Sequence, residues 1–394
     1  MKFSAPPTAA ANLKPFQFRV PDDDIAELKT LLKLSKLGPE TYENLQKGGK
    51  YGISREWLVE AKDNWESSFD WRQHEKRIND IPNFIATVDD AKSGKFDIHL
   101  LALFSTRKDA IPVLLMHGWP GSFMEYLTVV ELLKEKYTPE TLPYHVIVPS
   151  LPGYAKSSGP PLDQDFTLVD AARVLNTLMV DIGFGTGYVS QGGDLGSMLS
   201  RILSANHNEC KAFHVNLFLL TSSEIQDPAT LDSLQSAKLE YGQKFISSGF
   251  GYAIEHATRP ATIGLALSSS PLALLAWVGE KYCEWTDKDL PIDTVLALVS
   301  LYWFTSTYPR CIYPYRYILS AGDNAMPTSI EKPFGFSDFP HDLAVSPEAW
   351  IKDSYPNLVY YKAHDKGGHF AALEQPALLL EDFESFVEQI KNVI

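Results

Sequence analysis

From about Asp97 onward, short apolar segments alternate with segments of helix length, and this alternation constrains the fold more than any other feature of the chain. The apolar segments lie at 98–104, 113–116, 146–148, 188–190 and 213–220, and a further one follows much later at 358–362. Strands that alternate with helices form a mostly parallel sheet with helices on its faces. We therefore predict an α/β fold.

The rest of the chain has a different pattern. Residues 1–95 are rich in charge and in apolar residues at three- and four-residue spacing, which predicts an N-terminal helical region. The first part of the core, 96–220, is followed by aromatic-rich helical segments at 221–325, and the core resumes at 326–394. Because ligands bind at the carboxyl ends of parallel strands, we expect the inserted helices to form a cap over those ends.

Charge and cysteine content exclude several kinds of partner. The 394 residues carry a formal net charge of -14 without a Lys/Arg cluster, which argues against nucleic acid. Three widely separated cysteines argue against a disulfide framework or a zinc site and favour a reducing compartment. Residues 1–16 lack a signal-peptide core, and serines and Pro271 interrupt the longest apolar stretch, 262–278. We expect a soluble, cytoplasmic protein with no integral membrane association.

The segment 188–196 carries the first candidate for chemistry. A predicted strand runs into Gly192, Gly193, Asp194, Leu195 and Gly196, and a helical segment follows. This is the strand-turn-helix elbow that presents a nucleophile in α/β-hydrolases, with aspartate in the position usually held by serine. Gly and Asp are also common turn residues, so the assignment depends on its context.

An oxyanion-binding loop is predicted upstream, where the strand ending at Met116 leads to His117, Gly118, Trp119 and Pro120. Proline has no N–H group, so the backbone N–H of Trp119 is the natural donor. The backbone N–H of Leu195, directly after the nucleophile, would be the second donor. His117 could act as a base, but its position in this loop favours a structural role.

A histidine and an acid should complete the site, in the chain order nucleophile, acid, histidine. His369 lies between Gly368 and Phe370 on a loop after the last predicted strand, and His364 is its rival. The acid should follow the cap, where Asp342 lies. Spacing alone does not separate Asp342 from three nearby acids, which are Asp338, Glu348 and Asp353.

An aspartate nucleophile predicts substitution at saturated carbon, because an ionised carboxylate needs no base to attack. Asp194 would form an alkyl ester, and water deprotonated by His369 would attack its carboxyl carbon. A halogenated carbon and an epoxide both suit this scheme, but an epoxide oxygen needs an acid, for which tyrosine is suitable. The candidates in the cap are Tyr252, Tyr282, Tyr302, Tyr308, Tyr313, Tyr315 and Tyr317.

Several segments together resemble epoxide hydrolases of the microsomal-like branch, which includes soluble fungal members. The similar segments are 70–75, 117–122, 149–154, 191–194 and 367–374. The resemblance implies an α/β-hydrolase fold with a helical cap, an N-terminal region that wraps the core, and no cofactor or metal. The expected substrates are an epoxide and water. The sequence is compatible with a homodimer but does not determine the oligomeric state.

The resemblance also implies residue roles that the residue pattern leaves open. The segment 339–343 matches the family's acid motif and assigns the acid to Asp342. The two ring-opening tyrosines would be Tyr252 and Tyr315, although Tyr313 and Tyr317 flank the latter at two residues each.

Two alternatives follow from the same residues. Haloalkane dehalogenases share the fold and the aspartate, but they typically place Trp directly after it, where this chain has Leu195. A catalytically silent protein that binds an apolar ligand under the cap is the other. The aromatic cap, including 274–277, favours an apolar or aryl epoxide as the substrate.

Overall fold

The computed structural model describes residues 3–6, 12–46, 48–344 and 346–394. In these residues, nine strands form one sheet in the order β1-β2-β3-β5-β4-β6-β7-β8-β9. The strands are β1 (Leu13–Phe16), β2 (Asn83–Asp90), β3 (Gly94–Leu103), β4 (Ile111–Met116), β5 (Tyr144–Pro149), β6 (Tyr188–Gly192), β7 (Cys210–Val215), β8 (Phe334–Asp338) and β9 (Leu358–Ala363).

The α-helices precede, connect and follow these strands. They are α1 (Asp22–Leu34), α2 (Arg55–Ser67), α3 (Trp71–Asn79), α4 (Leu127–Lys136), α5 (Leu168–Met179), α6 (Leu195–Asn206), α7 (Ser233–Lys244), α8 (Gly251–Thr258), α9 (Pro260–Ser268), α10 (Pro271–Glu284), α11 (Ile292–Phe304), α12 (Tyr308–Cys311), α13 (Pro314–Ala321), α14 (Glu348–Ser354), α15 (Ala371–Glu374) and α16 (Pro376–Ile390). Short turns of other helical types lie at Phe123–Tyr126, Val180–Phe184, Pro228–Thr230, Phe245–Gly249 and Gly322–Ala325.

The central strands are parallel and almost continuously apolar. From β5 through β4, β6, β7 and β8 to β9, every neighbouring pair is parallel. Every residue of β5 and of β6 is buried, as expected for strands covered by helices on both faces. The sheet therefore has the α/β architecture predicted from the alternation.

The N-terminal region contains more than the predicted helices. It supplies α1, α2 and α3, but also β1 and β2, which pair antiparallel with each other and extend the sheet beyond β3. The four residues of β1 are too few to show a clear period, and β2 joins β3 through a hairpin in which Gly94 has a φ of 81°. A purely helical prediction for this region was therefore incomplete.

The strand predicted at 213–220 is also displaced in the structure. Strand β7 begins three residues earlier, at Cys210, and ends at Val215. The chain leaves the sheet at Asn216, whose side-chain oxygen accepts a hydrogen bond from Nε2 of Gln191 at 3.1 Å. An apolar run alone does not show where a chain departs from a sheet.

Helices α7 to α13 lie between β7 and β8 in the chain, and the N-terminal helices pack against them. Helix α1 contacts α10, and α2 contacts α11. The indole N–H of Trp65 donates to the hydroxyl of Ser300 at 3.0 Å, which joins α2 to α11.

In the part of the chain that the structure describes, no single helix is long and apolar enough to cross a membrane; α9 and α10 reach that threshold only together, with a bend of 119° between them.

Candidate active site

Asp194 lies in a sharp turn between β6 and α6, with φ of 48° and ψ of -124°. Two glycines make this turn possible. A Cβ on Gly192 would lie less than 3.0 Å from the backbone of Gly196, and a Cβ on Gly196 would lie equally close to the carbonyl oxygen of Met116. The turn therefore holds the aspartate in a conformation that side chains rarely adopt, at the carboxyl edge of the sheet.

The Asp194 carboxylate meets the predicted oxyanion loop. The backbone N–H of Trp119 donates to Oδ1 at 2.7 Å. Leu195 is the first residue of α6, so the carboxylate also lies at the amino end of a helix, where the helix dipole favours negative charge. A Cβ on Gly118 would lie within 3.0 Å of Asp194, so this loop can approach the carboxylate only because residue 118 is glycine.

His369 bridges two carboxylates. Its Nδ1 lies 2.6 Å from Oδ1 of Asp342, and its Nε2 lies 3.4 Å from Oδ2 of Asp194. Its backbone N–H donates to the carbonyl oxygen of Trp285 at 2.9 Å, and the Trp285 ring packs edge-on at 5.2 Å. Burial opposes protonation, but the two carboxylates outweigh it and raise the pKa of His369 to about 10.

The rival acids have other partners. Asp338 pairs with Lys238 and accepts the Tyr361 hydroxyl at 3.0 Å. Glu348 pairs with Lys352 at 2.6 Å, and Asp353 accepts from Gln226 at 2.8 Å. Asp342 is thus the acid from this group that the structure brings to His369.

The rival histidines are also engaged elsewhere. His364 lies 2.6 Å from Asp382 and stacks on Phe339 at 4.6 Å between ring centres. His117 accepts the backbone N–H of Leu151 at Nε2, and its Nδ1 donates to the Gly118 carbonyl oxygen at 3.1 Å. Burial lowers the pKa of His117 to about 4. Both contacts of His117 shape the oxyanion loop.

Tyr252 on α8 and Tyr315 on α13 meet above the oxyanion loop. Their ring centres are 5.7 Å apart, and the Trp119 indole stacks on Tyr252 at 4.9 Å and meets Tyr315 edge-on at 5.9 Å. Both rings are buried. Burial, reinforced by the charge of Asp194, holds the pKa of both hydroxyls well above the usual tyrosine value. Both tyrosines therefore lie close enough to Asp194 for its charge to raise the pKa of their hydroxyl groups.

The other cap tyrosines make different contacts. Tyr313 packs edge-on against Phe166 at 5.3 Å, and Tyr317 is half-buried against the core. Tyr308 bonds to Nε2 of His256 at 2.7 Å. The remaining two, Tyr282 and Tyr302, donate to the carbonyl oxygens of Pro120 and Gly121 at 3.0 and 2.8 Å, so they fix the oxyanion loop from the cap side.

Sequence reasoning missed two residues of the site. Trp285, in the loop after α10, holds the backbone and the ring of His369, and no local pattern predicts such a contact. Glu125 lies buried beside the Asp194–His369 pair. Ser122 and Glu125 have the spacing of a capping box, which would have identified the helical turn but not its position at the site.

Among the described residues, no group of three or more His, Cys, Asp or Glu side chains could hold a metal ion.

Fold and site together define an enzyme of the α/β-hydrolase class with a carboxylate in the nucleophile position. Two family models match the chain: "Epoxide hydrolase N terminus" over residues 13–126 and "alpha/beta hydrolase fold" over residues 111–246. A putative epoxide hydrolase of Dothistroma septosporum is 44% identical over 387 residues, which cover 97% of this chain and 91% of the relative. The chain belongs to the epoxide hydrolase family.

Two further relatives agree with this assignment. A putative epoxide hydrolase of Stigmatella aurantiaca is 33% identical, with 96% of this chain and 86% of the relative covered. The solved structure of Aspergillus niger epoxide hydrolase is 48% identical and superposes with a TM-score of 0.93, covering 99% of this chain and 100% of that one. The predicted family, fold class and activity, the hydrolysis of epoxides, are thereby confirmed, and nothing in these comparisons favours a dehalogenase.

Proposed function

We propose that this enzyme converts apolar or aryl epoxides to vicinal diols through an alkyl ester on Asp194. One observation carries the proposal: the two oxygens of the Asp194 carboxylate have different neighbours. Oδ1 accepts the backbone N–H of Trp119, whereas Oδ2 lies 3.4 Å from Nε2 of His369. One oxygen is therefore held as a future oxyanion, and the other remains available to attack carbon.

In the first step, Oδ2 of Asp194 would form a bond to an epoxide carbon while the ring C–O bond breaks. The electron pair of that bond goes to the epoxide oxygen, which takes a proton from Tyr252 or Tyr315 and a hydrogen bond from the other. Because the pKa values of both hydroxyls are held high, both carry their protons at neutral pH.

In the second step, a water molecule would attack Cγ of the Asp194 ester and give a proton to Nε2 of His369. Esterification removes the charge of Asp194, which is one of the two charges that favour protonated His369. The pKa of His369 therefore falls when a base is needed. Asp342 holds the ring through Nδ1, and the backbone N–H of Trp119 already donates to the Asp194 carboxylate. The backbone N–H of Leu195 would be the second donor to the oxyanion.

The preference for apolar or aryl epoxides is supported by aromatic side chains around the nucleophile. Trp119, Tyr252, Tyr315 and Trp285 form ring contacts with one another, and all four are buried. Leu195, the residue after the nucleophile, is aliphatic and offers no indole N–H to a halide. These features favour an epoxide over a haloalkane.

The His369→Gln variant tests the ester intermediate. We expect alkylation without hydrolysis, seen as one added substrate mass on the peptide that contains Asp194. His364→Gln is the matched control, because His364 is also buried beside a carboxylate but contacts Asp382. Normal turnover by the His369 variant, or substrate mass on another peptide, would contradict the proposal.

For the organisation of the chain, we propose four segments: an N-terminal region (1–95), two core parts (96–220 and 326–394) and a cap (221–325). We also propose a cytoplasmic location, supported by free thiols at Cys210, Cys283 and Cys311. Cell fractionation that recovers the activity with membranes would contradict this location.

A further inference from the structure

A small cavity lies beside Asp194, next to the oxyanion loop. It has a volume of about 10 Å³, the space of about one water molecule, and its lining includes Asp194 and His369 together with Glu125 and Asn216. Within the described part of the chain, neither Tyr252 nor Tyr315 lines it. The cavity therefore opens on the nucleophile and the base but not on the groups that would bind the epoxide oxygen.

Glu125 brings a buried carboxyl group to this cavity. It belongs to the helical turn Phe123–Tyr126 after the oxyanion loop, and its Oε1 accepts the backbone N–H of Ser122 at 3.1 Å. A Cβ on Gly121 would collide with Oε1, so glycine at 121 is required for the carboxyl group to lie there. Oε2 makes no hydrogen bond to the described residues, which leaves it available to a small ligand in the cavity.

Asn216 and His369 supply complementary groups. Oδ1 of Asn216 accepts from Nε2 of Gln191 at 3.1 Å, and Gln191 in turn accepts the Tyr126 hydroxyl at 2.8 Å, which orients both amides. The Nδ2 donor of Asn216 thus remains for the cavity. Nε2 of His369 is fully buried; it lies 3.4 Å from Oδ2 of Asp194 and makes no well-formed hydrogen bond to the described residues. A water molecule needs two to four polar partners, and this cavity offers that number.

We propose that this cavity holds the water that hydrolyses the Asp194 ester, and that Glu125 and Asn216 bind it. The inference rests on the proposed ester mechanism and adds a water site to it. One O–H of the water faces Nε2 of His369, the other donates to Glu125, and Nδ2 of Asn216 donates to the water oxygen. The remaining lone pair is then directed at Cγ of Asp194.

The step balances without another reactant. The water oxygen bonds to Cγ of Asp194 while one water proton passes to Nε2 of His369. The ester C–O bond then breaks, and the departing diol oxygen takes the second water proton. The tyrosine that protonated the epoxide oxygen regains its proton from His369, whose pKa falls on esterification, so that every group ends in its starting state. Glu125 gains and loses no proton in this scheme, so it acts only by binding and orienting the water.

The electrostatics of Glu125 are consistent with this role. Burial, reinforced by the charge of Asp194, raises the pKa of Glu125 to about 8, and protonated His369 opposes the shift. The other titratable groups that interact with it are the neutral hydroxyls of Tyr126, Tyr282 and Tyr302. In the ester, loss of the Asp194 charge lowers the pKa of Glu125 and loss of the proton on His369 raises it, so the two changes oppose each other.

Single-turnover kinetics of Glu125→Gln test the water site. Rapid quenching with mass analysis of the Asp194 peptide measures ester formation and ester hydrolysis separately. We expect hydrolysis to slow by about tenfold to a hundredfold, the size expected for a misplaced reactant. Ester formation should stay within about threefold of wild type, because ring opening uses Tyr252 and Tyr315, and neither of them lines the cavity that Glu125 lines.

Two further variants make the result decisive. Glu284→Gln is the control, because burial also raises the pKa of Glu284, to about 7, but Glu284 does not line the cavity. Glu125→Asp keeps a carboxyl group but shortens the side chain and withdraws that group from the cavity, so ester hydrolysis should also be slow in this variant. Wild-type hydrolysis in both Glu125 variants, or equal slowing of both steps, would overturn the water site. Wild-type protein that forms no Asp194 ester would instead overturn the ester mechanism itself.

Discussion

At the scale of single residues, the charge on Asp194 controls the proton on His369. The two side chains lie 3.4 Å apart, and with Asp194 ionised the pKa of His369 is raised to about 10. In the ester that charge is absent, so the pKa falls below this value. Protonation of His369 is therefore favoured while Asp194 is ionised, and the neutral base is favoured in the proposed ester.

A pH dependence of ester hydrolysis follows. Protonated His369 cannot accept a proton from water, so we expect the hydrolysis rate to fall as pH decreases through the pKa of His369 in the ester. The fraction of enzyme present as ester should rise correspondingly, measured by mass after rapid quenching at a series of pH values. An ester fraction that is constant or falls towards low pH would show that His369 is not the base.

The tyrosines can be tested by removing single hydroxyl groups. Tyr252→Phe and Tyr315→Phe should each slow ester formation by about tenfold or more, because the epoxide oxygen loses an acid or a hydrogen-bond donor. Tyr313→Phe is the control, because Tyr313 packs against Phe166 and lies only two residues from Tyr315. If Tyr313→Phe were the slow variant, the second tyrosine would be misassigned.

Site residues that belong to a short local motif were easier to predict than those that had to be chosen from several similar residues. The elbow and its loop are local patterns, so Asp194 and Trp119 could be selected from spacing. Asp342 and Tyr315 could not, because several acids and tyrosines occur close together and only the fold decides which one faces the site. Family resemblance, rather than physical reasoning, selected them.

At the scale of elements, the strand-turn-helix unit is tightly packed. Gly196, the second residue of α6, packs closely against the carbonyl oxygen of Met116 at the end of β4. We expect Gly196→Ala to lower the free energy of unfolding by about 1–3 kcal/mol, the usual cost of overpacking, as measured by denaturant titration. Gly38→Ala is the control, because a Cβ there meets nothing within 4 Å. If the Gly196 and Gly38 variants had the same free energy of unfolding, the turn around Asp194 would tolerate a side chain at 196 and this prediction would be wrong.

The parallel core and the inserted helices could be predicted because their patterns extend over many residues. Strands β1 and β2 could not, because β1 is short and is held in the sheet only by pairing with β2, about 70 residues later in the chain. The end of β7 was missed for a similar reason. The apolar run in the sequence continues past Val215, whereas the strand ends there. The next residue, Asn216, lies outside the strand and accepts a hydrogen bond from Gln191, a contact that the apolar pattern does not predict.

At the scale of the whole molecule, Arg310 joins the cap to the core. Its guanidinium donates to the carbonyl oxygens of Ala155 and Ser157, both at 3.0 Å, in the loop after β5. It also donates to Thr305 at 2.8 Å within the cap. Tyr315 lies five residues further along the chain, so this connection helps to position the cap over Asp194.

We expect Arg310→Met to lower the free energy of unfolding by roughly 2 kcal/mol, because several half-buried carbonyl groups lose a charged donor. Ester formation should slow as well, since Tyr315 is less well held. Arg259→Met is the control, because Arg259 is exposed and, among the residues that the structure describes, its side chain donates only to the neighbouring Thr258 carbonyl oxygen. Unchanged stability and kinetics in the Arg310 variant would contradict a connecting role.

The central claim is that Asp194 attacks the epoxide and that water then attacks Asp194. Single-turnover hydrolysis of an epoxide in oxygen-18 water, with enzyme in excess, tests it most directly. The proposed mechanism predicts that the first diol carries an unlabelled oxygen from Asp194 and that the label appears in the Asp194 carboxylate. Label in the first-turnover diol, with none in Asp194, would mean that water attacks the epoxide directly and would contradict the mechanism.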